Sequence, residues 1–166
     1  MKSVAAVPVL IISVYMGIRL STRLKKRKIL LEKTLLFLKT MKTDFSYTSV
    51  SVPSLIKKYS EEGLYQELSF LKDCADYMNK DMDFPLSWGK GVSENPYFSR
   101  EEKNKLTALG NVIGTSDLKS QLNIIEIYCG YFNELYLNAN KKYEKNSEVL
   151  ILTFTFIGVG LFVLLM

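Results

Sequence analysis

The chain contains no histidine at all and only two cysteines in 166 residues. The first absence removes the commonest general base, the usual serine triads and most zinc sites. The cysteines, Cys74 and Cys129, stand 55 residues apart with no cysteine neighbour, so they read as two thiols buried on helix faces, not as a metal site or a disulfide. Glycine and proline are also scarce, at nine and four, which leaves little room for long irregular loops or turn-rich β architecture. "WGKGVSE", Trp88–Glu94, superficially suggests a phosphate loop but lacks the four-residue interval and the Gly-Lys-Ser/Thr ending. The acid pairs Glu61/Glu62 and Asp81/Asp83 fall at predicted helix ends, where solvated charge is the expected state. Nothing in the sequence calls for a cofactor, a metal or a catalytic residue.

Charge is present but unevenly placed. The net charge is +5, yet the stretch from Ile29 to Asn140 carries 12 Lys/Arg against 15 Asp/Glu. The surplus lies in "RLSTRLKKRK", with Arg19, Arg23, Lys25, Lys26, Arg27 and Lys28, and in Lys2, Lys141, Lys142 and Lys145. Such a layout argues against nucleic acid as a partner, since phosphate binding needs charge spread along a contact surface.

The flanks of these basic residues explain them. Val4–Ile18 upstream and Val149–Met166 downstream are free of charge. Eighteen helical residues reach roughly 27 Å, close to a hydrocarbon core of about 30 Å. Residues 149–166 are therefore predicted to form a transmembrane helix. Residues 1–20 are predicted to form another, with Pro8 tolerated in its first turns. A cleaved signal peptide fits less well, because the basic residues follow the apolar run and no A-x-A pattern is present. The positive-inside rule then places residues 21–148 in the cytoplasm and both termini across the membrane, with the lipid bilayer as a partner and anionic headgroups within reach of Arg19–Lys28.

The intervening 128 residues suffice for one compact domain. Leu31, Leu35, Leu38, Met41 and Phe45 mark one face of a helix ending near Tyr47. Ser51 and Pro53 open a second helix that Gly63 is expected to close. Leu64, Leu68, Leu71, Ala75, Met78 and Met82 predict a third. A short helix over residues 85–90 would bury Trp88. Ser99 with Glu102 forms a capping box that opens a further helix, with Leu106, Leu109 and Ile113 inward and Gly114 closing it. The G-x-x-x-G pair Gly110/Gly114 lies outside any apolar 20-mer, so it signals close helix packing and not membrane dimerisation. Ser116 is expected to cap the last helix, with Asp117 favourable at its positive end. There Leu118, Leu122, Ile125, Cys129, Phe132, Tyr136, Ala139 and Tyr143 alternate spacings of four and three. That is a heptad seam, widened by Ile124, Tyr128, Tyr131 and Leu135 to suit a bundle core. The fold class is thus all-α, a cytoplasmic bundle of about six helices flanked by two transmembrane helices.

"LGNVIGTSDLKSQ", Leu109–Gln121, resembles the LG-x-x-LG-x-SD-x-x-x-Q signature of the stage III sporulation protein AB family. Gly110, Gly114, Ser116, Asp117 and Gln121 match it position by position, and Tyr47, Pro53 and Trp88 stand where that family carries structural residues. "DFSY" and "VSVPSL" depart from the family's E-I-x-Y and T-P-L-P-E-A. The resemblance implies a fold like the cytoplasmic domain of the type II secretion platform protein F. It also implies a non-catalytic role in the mother cell–forespore channel, in the outer forespore membrane. Its implied partners are a secretion-type ATPase and other channel membrane proteins. The pattern is compatible with a homo-oligomer. A membrane-anchored regulatory adaptor that binds a cytoplasmic signalling protein is the other reading. Asp117 and Gln121, one turn apart and outside the core seam, have two readings: they mark the Gly110–Gln121 corner and the exposed face of the last helix as a partner surface, or Asp117 supports the helix start and Gln121 satisfies a buried backbone group.

Overall fold

The computed structural model describes residues 2–47, 50–113 and 117–165, with side chains described at residue 8 and over 11–163 of that span. Among the described residues there are six α-helices, one short 3-10 turn and no strand. These are α1 (Lys2–Tyr47), α2 (Val52–Glu61), α3 (Ser69–Met78), α4 (Phe84–Glu94), α5 (Arg100–Val112) and α6 (Leu118–Leu165), with the 3-10 turn at Gly63–Tyr65. Two compact units result: residues 1–29 with 136–166, and residues 30–135.

The 30–135 unit is built around an aromatic core. Phe37 of α1 is fully buried. Its ring meets Tyr59 of α2, Tyr65 of the 3-10 turn and Phe70 of α3 edge-on at 5.6, 6.0 and 6.2 Å, and lies 6.1 Å from Trp88 of α4. One side chain thus touches four successive elements, within the centroid range where aromatic pairs attract. Leu31, Leu35, Leu38, Met41 and Phe45 of the predicted α1 face are all buried, as are Leu106 and Leu109 of α5 and Ile113 just past its end. On α6 the seam holds at its centre, where Ile125, Cys129 and Phe132 are buried. It fails at its start: Leu118 is 53% exposed, because the first turn of α6 extends beyond the packed seam.

Helix boundaries follow local chemistry with instructive exceptions. The capping box forms as expected: the Ser99 hydroxyl accepts from the Glu102 N–H, and Glu102 accepts from the Ser99 N–H at 2.9 Å. Gly63 does not close α2. Glu62 does so in extended backbone, with its N–H bonded to the Tyr59 carbonyl, and Gly63 instead opens the 3-10 turn. Leu64 lies in that turn with its side chain 47% exposed, so the third helix starts later than its apolar spacing suggests. The turn shifts burial to Tyr65 and Leu68. The helix around Trp88 is longer than predicted and runs to Glu94. The turn between α3 and α4 is made by Asp81 at φ 59°, a left-handed conformation that Asp tolerates better than most side chains.

The unit formed by residues 1–29 and 136–166 pairs α1 with α6 in opposite directions. Its register is fixed at two levels. The Ser13 hydroxyl donates to the Phe154 carbonyl at 2.8 Å, and the Lys28 ammonium sits 5.4 Å from the Tyr143 ring centroid. Gly17 permits the close approach between them: a Cβ there would stand 3.0 Å from the Phe154 Cβ and 3.3 Å from the Ile151 backbone. Among the described residues, one helix, α6, is long and apolar enough to cross a membrane, and almost none of its apolar window is buried. The start of α1 does not meet that measure among the described residues, and much of the predicted N-terminal span lies outside the described side chains.

Candidate partner surface

The signature residues divide between core and surface. Gly110 is buried in α5 against Trp88. A Cβ at Gly110 would lie 2.0 Å from the indole Cδ1 and 2.5 Å from Nε1. The indole N–H donates to the Leu106 carbonyl at 2.6 Å. Residue 110 follows Leu106 by four positions, and helical Cβ atoms tilt toward the N-terminus, so a side chain there would cover that carbonyl. Glycine leaves it open, and the only tryptophan of the chain plugs the gap. Trp88 is thereby held on four sides, since Phe70 and Phe84 flank it at 5.2 and 5.8 Å in addition to Phe37. The close packing expected of the G-x-x-x-G pair is found at Gly110; Gly114 and Ser116 lie outside the described residues.

Asp117 is exposed and caps α6 itself. Its carboxylate accepts from the Ser120 N–H at 3.0 Å and from the Ser120 hydroxyl at 2.5 Å. These bonds favour the charged form and hold the carboxyl below its usual pKa. Gln121 stands one turn further on, half-buried, with its N–H bonded to the Asp117 carbonyl at 3.0 Å.

The other end of α1 arrives at the same place. Lys42 is ion-paired with Glu126. Since α1 and α6 run in opposite directions, five residues beyond Lys42 brings Tyr47 level with Gln121. Tyr47 ends α1 with its ring 85% exposed, and Val50 and Leu118 are also about half exposed. Tyr47, Val50 and Leu118 are thus exposed apolar side chains at or beside the ends of α1 and α6, and Asp117 adds a capped carboxylate at the start of α6. Pro53, in the first turn of α2, is exposed nearby in sequence. Sequence reasoning assigned Tyr47 a structural role; its exposure adds it to the surface, and a helix-terminal aromatic followed by β-branched residues was the available signal. On the outer face of α6, Ile127 is exposed as well.

Part of the remaining polar chemistry of this unit is internal. The buried Tyr59 hydroxyl donates to Asp44 at 2.7 Å, and burial followed by this bond pushes its pKa up. Burial pushes the Cys74 thiol up to about 12, so it is a neutral, unreactive group at physiological pH. Asp73 is raised by burial and by its acidic neighbours Glu94 and Asp76. Among the described residues no group of three or more His, Cys, Asp or Glu is placed to hold a metal ion.

A family model described as stage III sporulation protein AB matches residues 2–166. No curated protein and no solved structure matches the chain.

Proposed function

The chain belongs to the stage III sporulation protein AB family, a membership that implies a role in stage III of sporulation, and we propose that it acts there as a non-catalytic membrane platform. In this reading the bundle lies in the mother-cell cytoplasm, rooted in the outer forespore membrane by two spans. It couples a secretion-type ATPase to the membrane proteins of the mother cell–forespore channel, as the platform protein F does in type II secretion. The match over residues 2–166 carries the reading. The fold supports it: among the described residues there are six helices, one of them apolar enough to span a bilayer, and Phe37 ties four elements of the bundle into one core.

The partner surface is the corner formed by Tyr47, Val50, Asp117, Leu118 and Gln121. Exposed apolar side chains beside a fixed charge suit a protein interface, whose buried centre is richer in aromatic residues than the rest of the surface. The test is crosslinking and pulldown from sporulating cells. Tyr47→Ser with Leu118→Ser, and separately Asp117→Ser with Gln121→Ala, should lower recovery of the ATPase or channel proteins by tenfold or more, as expected for interface hot spots. Serine at 117 retains a helix cap while removing the charge, so folding is preserved. Undiminished recovery with both variants contradicts the assigned corner. Recovery of a signalling protein in place of channel components would favour an adaptor.

A further inference from the structure

The register of the 1–29/136–166 unit brings together two basic clusters that are remote in sequence. With Ser13 bonded to Phe154, Gly17 against Phe154 and Ile151, and Lys28 over Tyr143, the ten residues of Arg19–Lys28 lie level with an equal length of α6, roughly residues 141 to 150 at the same rise per residue. Lys141, Lys142 and Lys145 then fall beside the lower end of that stretch, and all three are exposed, as are Arg19, Arg23 and Lys25. Nine basic residues thus face two acids, Glu144 and Glu148, and Glu144 accepts a hydrogen bond from the Asn140 amide at 2.9 Å.

Immediately beyond this charged level both helices turn apolar and exposed. Ile11, Met16 and Ile18 on α1 are 49–60% exposed, and Val149, Leu152 and Phe156 on α6 are 56–72% exposed. Tyr15 marks the boundary: its hydroxyl accepts from the Arg19 Nε–H at 2.7 Å and its ring lies 5.2 Å from that guanidinium. An aromatic ring holding a cation at the edge of an apolar segment is the arrangement expected at a membrane–water interface.

We propose that the two clusters form one collar that binds anionic phospholipid headgroups, with Lys141, Lys142 and Lys145 acting beside the α1 cluster. The inference rests on the membrane-spanning reading given above. The collar is about 15 Å tall at 1.5 Å per residue, whereas a headgroup layer is roughly 5–8 Å deep. Residues nearest the apolar boundary reach headgroups directly. The more distant lysines act through their field, which extends about 8 Å at physiological ionic strength. A basic residue close to an anionic leaflet strengthens attraction about fivefold. Orientation alone requires only the α1 cluster, so a contribution from α6 is what separates a lipid-binding collar from a topology signal.

The full chain is reconstituted in lipid nanodiscs of mixed phosphatidylcholine and phosphatidylglycerol, and the association of spin-labelled forms of the two lipids is compared by electron spin resonance. Phosphatidylglycerol should associate about threefold or more in excess, given the per-residue attraction. The triple variant Lys141→Gln/Lys142→Gln/Lys145→Gln should lose at least half of that preference while Trp88 emission is unchanged. About 1 M salt should bring it close to parity by screening. Incorporation with equal preference for the two lipids, or an unaltered ratio in the triple variant, overturns the collar and leaves the membrane reading intact. Failure of the wild-type chain to enter a bilayer overturns both.

Discussion

Gly110→Ala should unfold or severely loosen the bundle, although it adds a single methyl group on a helix where alanine is the better former. Intrinsic propensity favours alanine over glycine by about 1 kcal/mol. Packing reverses the sign. The new Cβ would overlap the Trp88 indole at 2.0 Å, and Trp88 cannot retreat, because Phe37, Phe70 and Phe84 close around it. Moving the ring also breaks its buried bond to the Leu106 carbonyl. Overpacking of this kind costs about 1–3 kcal/mol, and stranding a buried polar group adds roughly 1–3 kcal/mol. A net loss of about 3 kcal/mol or more is expected, a large share of the stability of a typical domain. Trp88 is the only tryptophan, so its fluorescence reads the effect directly: emission should shift to the red, and the urea midpoint should fall. Trp88→Phe in the Gly110→Ala background should recover part of the lost urea midpoint, since the smaller ring vacates the space; far-ultraviolet circular dichroism follows this variant, which has no tryptophan. Unchanged emission and midpoint in Gly110→Ala would show that the glycine has no packing role.

Phe37→Ala should be comparably damaging for the opposite reason. It empties the point where α1, α2, α3, α4 and the 3-10 turn converge. Truncating a buried phenylalanine costs about 3–5 kcal/mol through lost transfer energy and the cavity left behind, and each lost edge-on contact adds about 0.5–1.5 kcal/mol. Leu36→Ala is the control one residue away. Leu36 is 37% exposed, so its truncation loses only part of a buried side chain and should cost about 1–1.5 kcal/mol, well below the loss at Phe37. Denaturant unfolding of the two variants separates the accounts: equal midpoints would mean that the aromatic cluster does not organise the core.

Much of this fold was legible because it is periodic. Leu31 to Phe45 and Ile125 to Phe132 repeat at helical spacing over many turns, so their burial follows from pattern alone. The Ser99/Glu102 box was legible because a single geometry satisfies both residues. Less could be read where two residues compete for one role. Ser116, expected to cap α6, lies outside the described residues, and Asp117, expected only as a favourable charge there, makes cap bonds to Ser120. Glu62 and Gly63 are both able to end α2, and the extended backbone at Glu62 prevails because the following 3-10 turn buries Tyr65 against Phe37. Gly110 shows a different limit. The spacing of Gly110 and Gly114 signalled close approach, but the partner, Trp88, is 22 positions upstream and no local pattern names it. The proposed partner surface was half visible: Asp117 and Gln121 lay in a readable motif, whereas Tyr47 enters the proposal through its exposure and the level that the Lys42–Glu126 pair gives α1 against α6.

The central claim is that apolar segments at both ends root one helical body on the inner side of a bilayer. It is tested most directly by placing single thiols at Lys2→Cys, Lys25→Cys and Met166→Cys in a Cys74→Ala/Cys129→Ala background and treating intact vegetative cells with a membrane-impermeant maleimide. Positions 2 and 166 should react in intact cells, and position 25 only after lysis. Protection of either terminus, or reaction at position 25 before lysis, would contradict the two-span topology.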